Sequence, residues 1–96
     1  MVDGVERLPP SNIEAEQSVL GSLLIDRDAV IRVAAFLKAE DFYSANHGII
    51  YQAILDLYNQ RTPPDFVTVV DELDRRGRLD DVGGVAYLTE LLNSVP

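Results

Sequence analysis

The sequence predicts an all-α fold, a compact orthogonal bundle of about five to six short helices in a single domain. Three observations support this. Apolar residues recur at helical spacing in five separate stretches, the first four of them preceded by a residue able to cap a helix. No run alternates apolar and polar residues between hairpin turns, so a sheet is not expected. The 96 residues are 47% hydrophobic and 25% charged, a balance that can bury roughly 60 to 70% of the unfolded surface in one core.

The elements follow in order. Residues 1–10 have no period and end in Pro9-Pro10, which predicts an extended lead-in segment; residues 11–96 form the predicted globular head. Ser11 and Glu14 fit a capping box, starting a first helix from about Asn12 to Ile25 with Leu20, Leu23 and Leu24 inward. Glu14 and Glu16 suit the positive end of its dipole. Gly21 is a poor helix former, so its expected role is to let another backbone come close. Asp26-Arg27-Asp28 offers a new cap for a short second helix through Val30, Ile31, Val33, Ala34 and Leu37.

Residues 40–43 break the pattern, and a tight turn there drops Phe42 into the core. Ser44 then caps a third helix, about His47 to Gln60, with Ile50, Ala53, Ile54, Leu57 and Tyr58 at its period. Adding Ile49, Tyr51 and Leu55 widens its apolar arc to roughly 240°, at about 100° per residue. Such a helix is either central or meets a partner along one rim, and Tyr51 and Leu55 are the rim candidates. Thr62-Pro63-Pro64 ends it, and Asp65 caps a fourth helix with Val67, Val70 and Leu73 on one face. Arg75 and Arg76 suit its last turn and Gly77 its left-handed stop. After a loop over residues 80–84, Val85, Leu88, Leu91, Leu92 and Val95 mark the last helix.

Catalytic chemistry is hard to place on these residues. A phosphate-cradling loop needs glycines ahead of a Lys and a hydroxyl residue, but the only Lys, Lys38, follows Phe36-Leu37. Gly83-Gly84 lacks a preceding strand and is read as a turn. The sole histidine, His47, lies near Ser44 and Asp41, yet no third orienting group or oxyanion site is evident; packing or hydrogen bonding in the first turn of a helix is the simpler reading. The carboxylate clusters Glu14 with Glu16, Asp26 with Asp28, and Asp71, Glu72 with Asp74 are read as caps and solvated faces. The residues after Asp26 do not follow a calcium loop. No catalytic, cofactor-binding or metal-binding residue is expected. Arg75, Arg76 and Arg78 form one basic patch, a candidate interface with phosphate or an acidic partner.

The net charge of -8 opposes the phosphate contacts that autonomous DNA binding needs, so protein partners are expected instead of direct nucleic acid contact. The absence of cysteine fits a reducing compartment, and no signal peptide or membrane span is expected, pointing to the cytoplasm.

Four segments coincide in order: Glu14 to Gly21, Asp41-Phe42-Tyr43 with His47, Leu73-Asp74-Arg75-Arg76-Gly77 with Leu79, and Val82-Gly83-Gly84 with Tyr87-Leu88. From Pro9 to Pro96 the chain thereby resembles the N-terminal domain of the bacterial replicative DNA helicase, the DnaB family. The resemblance implies a noncatalytic helical domain, followed by a helical hairpin and a RecA-like motor that binds ATP and Mg2+. It further implies a hexamer built as a trimer of dimers, with primase and a helicase loader as partners in DNA replication. A free-standing adaptor is the alternative, because the helicase-binding domain of primase has a similar fold.

Overall fold

The computed structural model describes residues 12–96. The predicted extended segment and the Ser11 cap lie outside the described residues. Five α-helices follow in order: α1 (Ile13–Ile25), α2 (Arg27–Ala34), α3 (Ala45–Asn59), α4 (Phe66–Arg75) and α5 (Gly84–Leu92), with a 3-10 turn (Ala39–Asp41) ahead of α3. No strand occurs among the described residues, as the missing period-two alternation predicts.

Four of the five helices begin where a side chain holds a free amide; α5 instead follows Gly83, at φ +109, with no side-chain cap. Asn12 caps α1, its Oδ1 accepting from the Ala15 amide at 2.9 Å. This moves the cap one residue past the predicted box and leaves Glu14 outside the reciprocal position. Asp26 accepts from the Asp28 amide at 2.9 Å and starts α2. Ser44 accepts from the His47 amide at 3.3 Å, so α3 begins at Ala45, two residues earlier than expected. Asp65 and Thr68 close a true capping box on α4, each side chain bonding the other's backbone amide at 2.9 Å. Gly77, at φ +70, stops α4, with the Arg78 amide bonding back to the Leu73 carbonyl at 2.9 Å.

The core gathers around α3, which packs against α1, α2, α4 and the 3-10 turn. Ile50, Tyr51, Ala53 and Ile54 are fully buried, so the wide apolar arc belongs to a central helix. Phe42 drops from the end of the 3-10 turn onto Tyr51, ring centroids 5.1 Å apart. α1 supplies Leu20, Leu23 and Leu24; α4 supplies Val69 and Leu73; α5 supplies Leu88 and Leu91. A Cβ added to Gly21 would stand 2.2 Å from the Leu91 carbonyl oxygen, so α1 and α5 meet backbone to backbone as expected.

Two helix faces differ from expectation. Ile31 is 58% exposed and Val67 71% exposed. In helices of eight and ten residues the phase of a few apolar residues is weakly fixed, and here Ala29-Val30 and Phe66-Val69 take the inward positions. No helix among the described residues is long and apolar enough to cross a membrane.

Candidate functional site

Beneath this apolar core lies one polar cluster that joins three helices. Glu16 on α1 is fully buried, although the sequence reading placed it among solvated acids. Its carboxylate accepts from the Tyr43 amide at 2.5 Å, the Ser44 amide at 3.3 Å and His47 Nδ1 at 2.7 Å. The acid therefore caps the start of α3 from another helix, where free amides and the helix dipole both favour a negative charge. His47, 2% exposed, turns Nε2 to the Tyr87 hydroxyl on α5 at 2.5 Å. The two rings stack at 15° with centroids 5.8 Å apart. Gln17 Nε2 donates to the same hydroxyl at 3.1 Å.

Nδ1–H of His47 donates to the Glu16 carboxylate, Nε2 shares a hydrogen bond with the Tyr87 hydroxyl, and that hydroxyl accepts from Gln17. No buried side-chain nitrogen or oxygen among the described residues lacks a partner. A carboxylate, an imidazole and a hydroxyl in series resemble a nucleophile relay, in which both ring nitrogens are likewise engaged. Here the His47 ring is shut from solvent, and the three groups work as a clasp holding α1, α3 and α5 together. Among the described residues no group of three or more His, Asp or Glu is placed to hold a metal ion.

A signal for this clasp exists in the sequence. Glu16 lies on the same helical line as Leu20 and Leu23, and His47 on that of Ile50 and Ile54. Their pairing spans 31 positions, which no local pattern reveals.

The predicted interface residues separate. Tyr51 is a correction: it is fully buried within the chain, with its hydroxyl donating to the Leu37 carbonyl at 2.8 Å. It is a core residue and has no surface to offer a partner. Burial, reinforced by the nearby Asp41 carboxylate, pushes its phenol up to about 12. Leu55 is half-buried against the core. The three arginines do not make a free basic patch, because each already has an acidic neighbour. Glu72 accepts from Arg75 at 2.5 Å and Arg76 at 2.6 Å, Arg76 also reaches Asp56 on α3 at 2.8 Å, and Arg78 pairs with Asp81 at 2.9 Å. The Arg75 hydrogen bond, then that of Arg76, holds the Glu72 carboxyl below the usual carboxylate range. This stabilisation is present above that range and fades as pH falls through the lowered value.

Residues 8–96 match the family described as DnaB-like helicase N terminal domain. The replicative DNA helicase DnaB of Mycobacterium leprae (strain TN) is 50% identical over 90 residues, covering 94% of this chain and 15% of that protein. The replicative DNA helicase DnaC of Bacillus subtilis (strain 168) is 46% identical over 91 residues, covering 95% of this chain and 20% of that protein. The chain therefore spans a fifth or less of the length of these relatives. The crystal structure of the N-terminal domain of DnaB helicase from Mycobacterium tuberculosis superimposes with a TM-score of 0.87 at 50% identity, over 92% of this chain and 63% of that one.

Proposed function

Because this chain belongs to the family of DnaB-like helicase N-terminal domains, we propose that it is the noncatalytic assembly head of a hexameric replicative DNA helicase. The observation that carries the reading is that the family match spans all of the described helical body, residues 12–96, in which Glu16, His47 and Tyr87 form a closed clasp. The parent is proposed to be an ATP-dependent DNA-unwinding enzyme of the cytoplasm, with ATP and Mg2+ held by a motor domain elsewhere in the protein. The head does not fit a nucleotide. Lys38 is exposed and leads into a three-residue turn, with neither a glycine loop nor a helix start to cradle phosphates.

In this reading six heads gather as a trimer of dimers and offer part of the surface met by primase and by a helicase loader. Half-buried Leu55 and the outward parts of Arg75 and Arg78 remain able to face a neighbour. A net charge of -8 favours such protein contacts over DNA. The test is to purify the chain and the parent, then compare ATP hydrolysis and strand separation. The chain alone is expected to do neither, and turnover by it refutes the reading.

A further inference from the structure

We propose that the groove between α2, the C-terminal end of α3 and the loop over residues 62–64 is a docking site for an acidic peptide segment carrying a large apolar side chain. The groove encloses about 440 Å³, and its floor is apolar: Ile31 stands 58% exposed beside Tyr58, Pro63 and Pro64. A second cleft, of about 230 Å³, continues past Pro63 and Pro64 to Ile25, itself 60% exposed; Asp26 and Asp65 also line it, so it can take an apolar side chain of the partner but not its carboxylates. Exposed aliphatic side chains beside an aromatic ring and two prolines form a rigid surface whose hydration is released when a partner's apolar side chain covers it.

Charge selects the kind of partner. Among the described residues Arg32, Arg75, Arg76 and Arg78 all have acidic partners within the chain. Arg27 and Arg61 form no ion pair there, and both line this groove. On a surface with sixteen acidic residues and eight basic ones, this groove is lined by two guanidiniums without an intrachain ion pair and by one carboxylate, that of Asp28, so its lining is net positive. The planar guanidinium fork binds carboxylate with two parallel hydrogen bonds.

Backbone geometry adds a further observation. Arg61 is the only non-glycine residue with positive φ among the described residues, at 64°. It sits just past the end of α3, with the Thr62 amide bonding back to Leu57 at 2.9 Å, a position where glycine fits without strain. The dipole of α3 accounts for a cation at its end. It does not account for a second unpaired arginine, arriving from α2, on the same groove. A polyphosphate fits less well than a peptide, since it gains nothing from the apolar floor and meets the acidic field of the whole domain.

The test titrates the chain with a blocked peptide, Asp-Glu-Leu-Phe-Asp-Glu, at low salt while amide NMR shifts are followed. Saturable shifts are expected at Arg27, Ile31, Tyr58 and Arg61, with affinity falling at least about tenfold in the Arg27→Glu/Arg61→Glu variant. Unaltered circular dichroism shows that the variant is folded. Replacing the peptide's Leu and Phe with Ala should weaken binding as well. The proposal is overturned by the absence of saturable shifts at those residues, by equal binding of a peptide with Lys in place of every acid, by undiminished binding to the variant, or by tighter binding of a short oligothymidine.

Discussion

Gly21→Ala sets two effects of opposite sign against each other, and the structure decides which wins. In a free helix the substitution is favourable by about 1 kcal/mol, because alanine loses less backbone freedom on folding. Here the new methyl would stand 2.2 Å from the Leu91 carbonyl oxygen and 2.8 Å from Val95 Cγ2. Ordinary carbon-to-oxygen contact begins near about 3.3 Å, so α5 must retreat by about 1 Å. Leu91 cannot retreat alone, since its side chain is fully buried and its carbonyl accepts from the Ser94 amide at 3.0 Å. Overpacking of this kind costs about 1 to 3 kcal/mol, and obstruction by backbone places this site at the upper end. Subtracting the gain in propensity leaves a net loss of about 2 kcal/mol, or a fall in Tm of roughly 8 to 16 °C for a domain of this size. Thermal and urea unfolding followed by circular dichroism measure it. Adding Val95→Ala should restore only a minor part, because the nearer obstacle is backbone. Unchanged or increased stability in Gly21→Ala would refute the close approach of α1 and α5.

Glu16→Leu should cost about 3 to 5 kcal/mol, because it strands the His47 imidazole and the Tyr43 and Ser44 amides without their acceptor; chemical denaturation tests it, and a loss below 1 kcal/mol would count against the clasp. Ile54→Ala, at a fully buried position on central α3, should lose about 2 to 5 kcal/mol as a core cavity, and a denaturation midpoint equal to that of the original chain would contradict its placement. Tyr51 ionises at about 12 in the folded chain against 10.0 for the free side chain, so its contribution is complete below pH 10 and is lost as pH rises from 10 to 12. Tyr51→Phe should accordingly decline less steeply than the original over that window in alkaline unfolding, and parallel curves would remove this assignment. Arg61→Gly relieves a positive φ of 64° and should gain up to about 1 kcal/mol, read as a raised urea midpoint; a clear loss would mean that the arginine makes a stabilising contact.

Local chemistry was readable in the sequence because its causes are local. Asp26, Ser44 and Asp65 cap helices by bonding amides two or three residues on, and Gly77 stops α4 through its own backbone freedom. Phe42 was recognisable as an aromatic residue at the break between two helices. Gly21 could be assigned a close contact, though not the identity of Leu91, 70 positions further along. The same limit hid the clasp: an acid in the first turn of a helix reads as a favourable partner for the dipole whether it faces water or another helix. Glu16 does stabilise a helix start, but that of α3, not of the helix it belongs to. Tyr51 was misplaced for a related reason. A wide apolar arc fits both a central helix and one with a partner, and only the packing of α1, α2 and α4 around α3 distinguishes them. The arginines 75, 76 and 78 form a patch in sequence, whereas Glu72, Asp56 and Asp81 neutralise it in space.

On the proposed reading this domain serves a parent helicase by meeting other proteins, with the chemistry performed elsewhere. The most direct measurement is co-sedimentation of primase with the full parent, before and after removal of residues 1–96, with ATP hydrolysis by the motor as the control. The account predicts that primase is lost from the sedimenting complex while ATP hydrolysis persists. Primase retained at undiminished affinity, together with abolished hydrolysis, would contradict it.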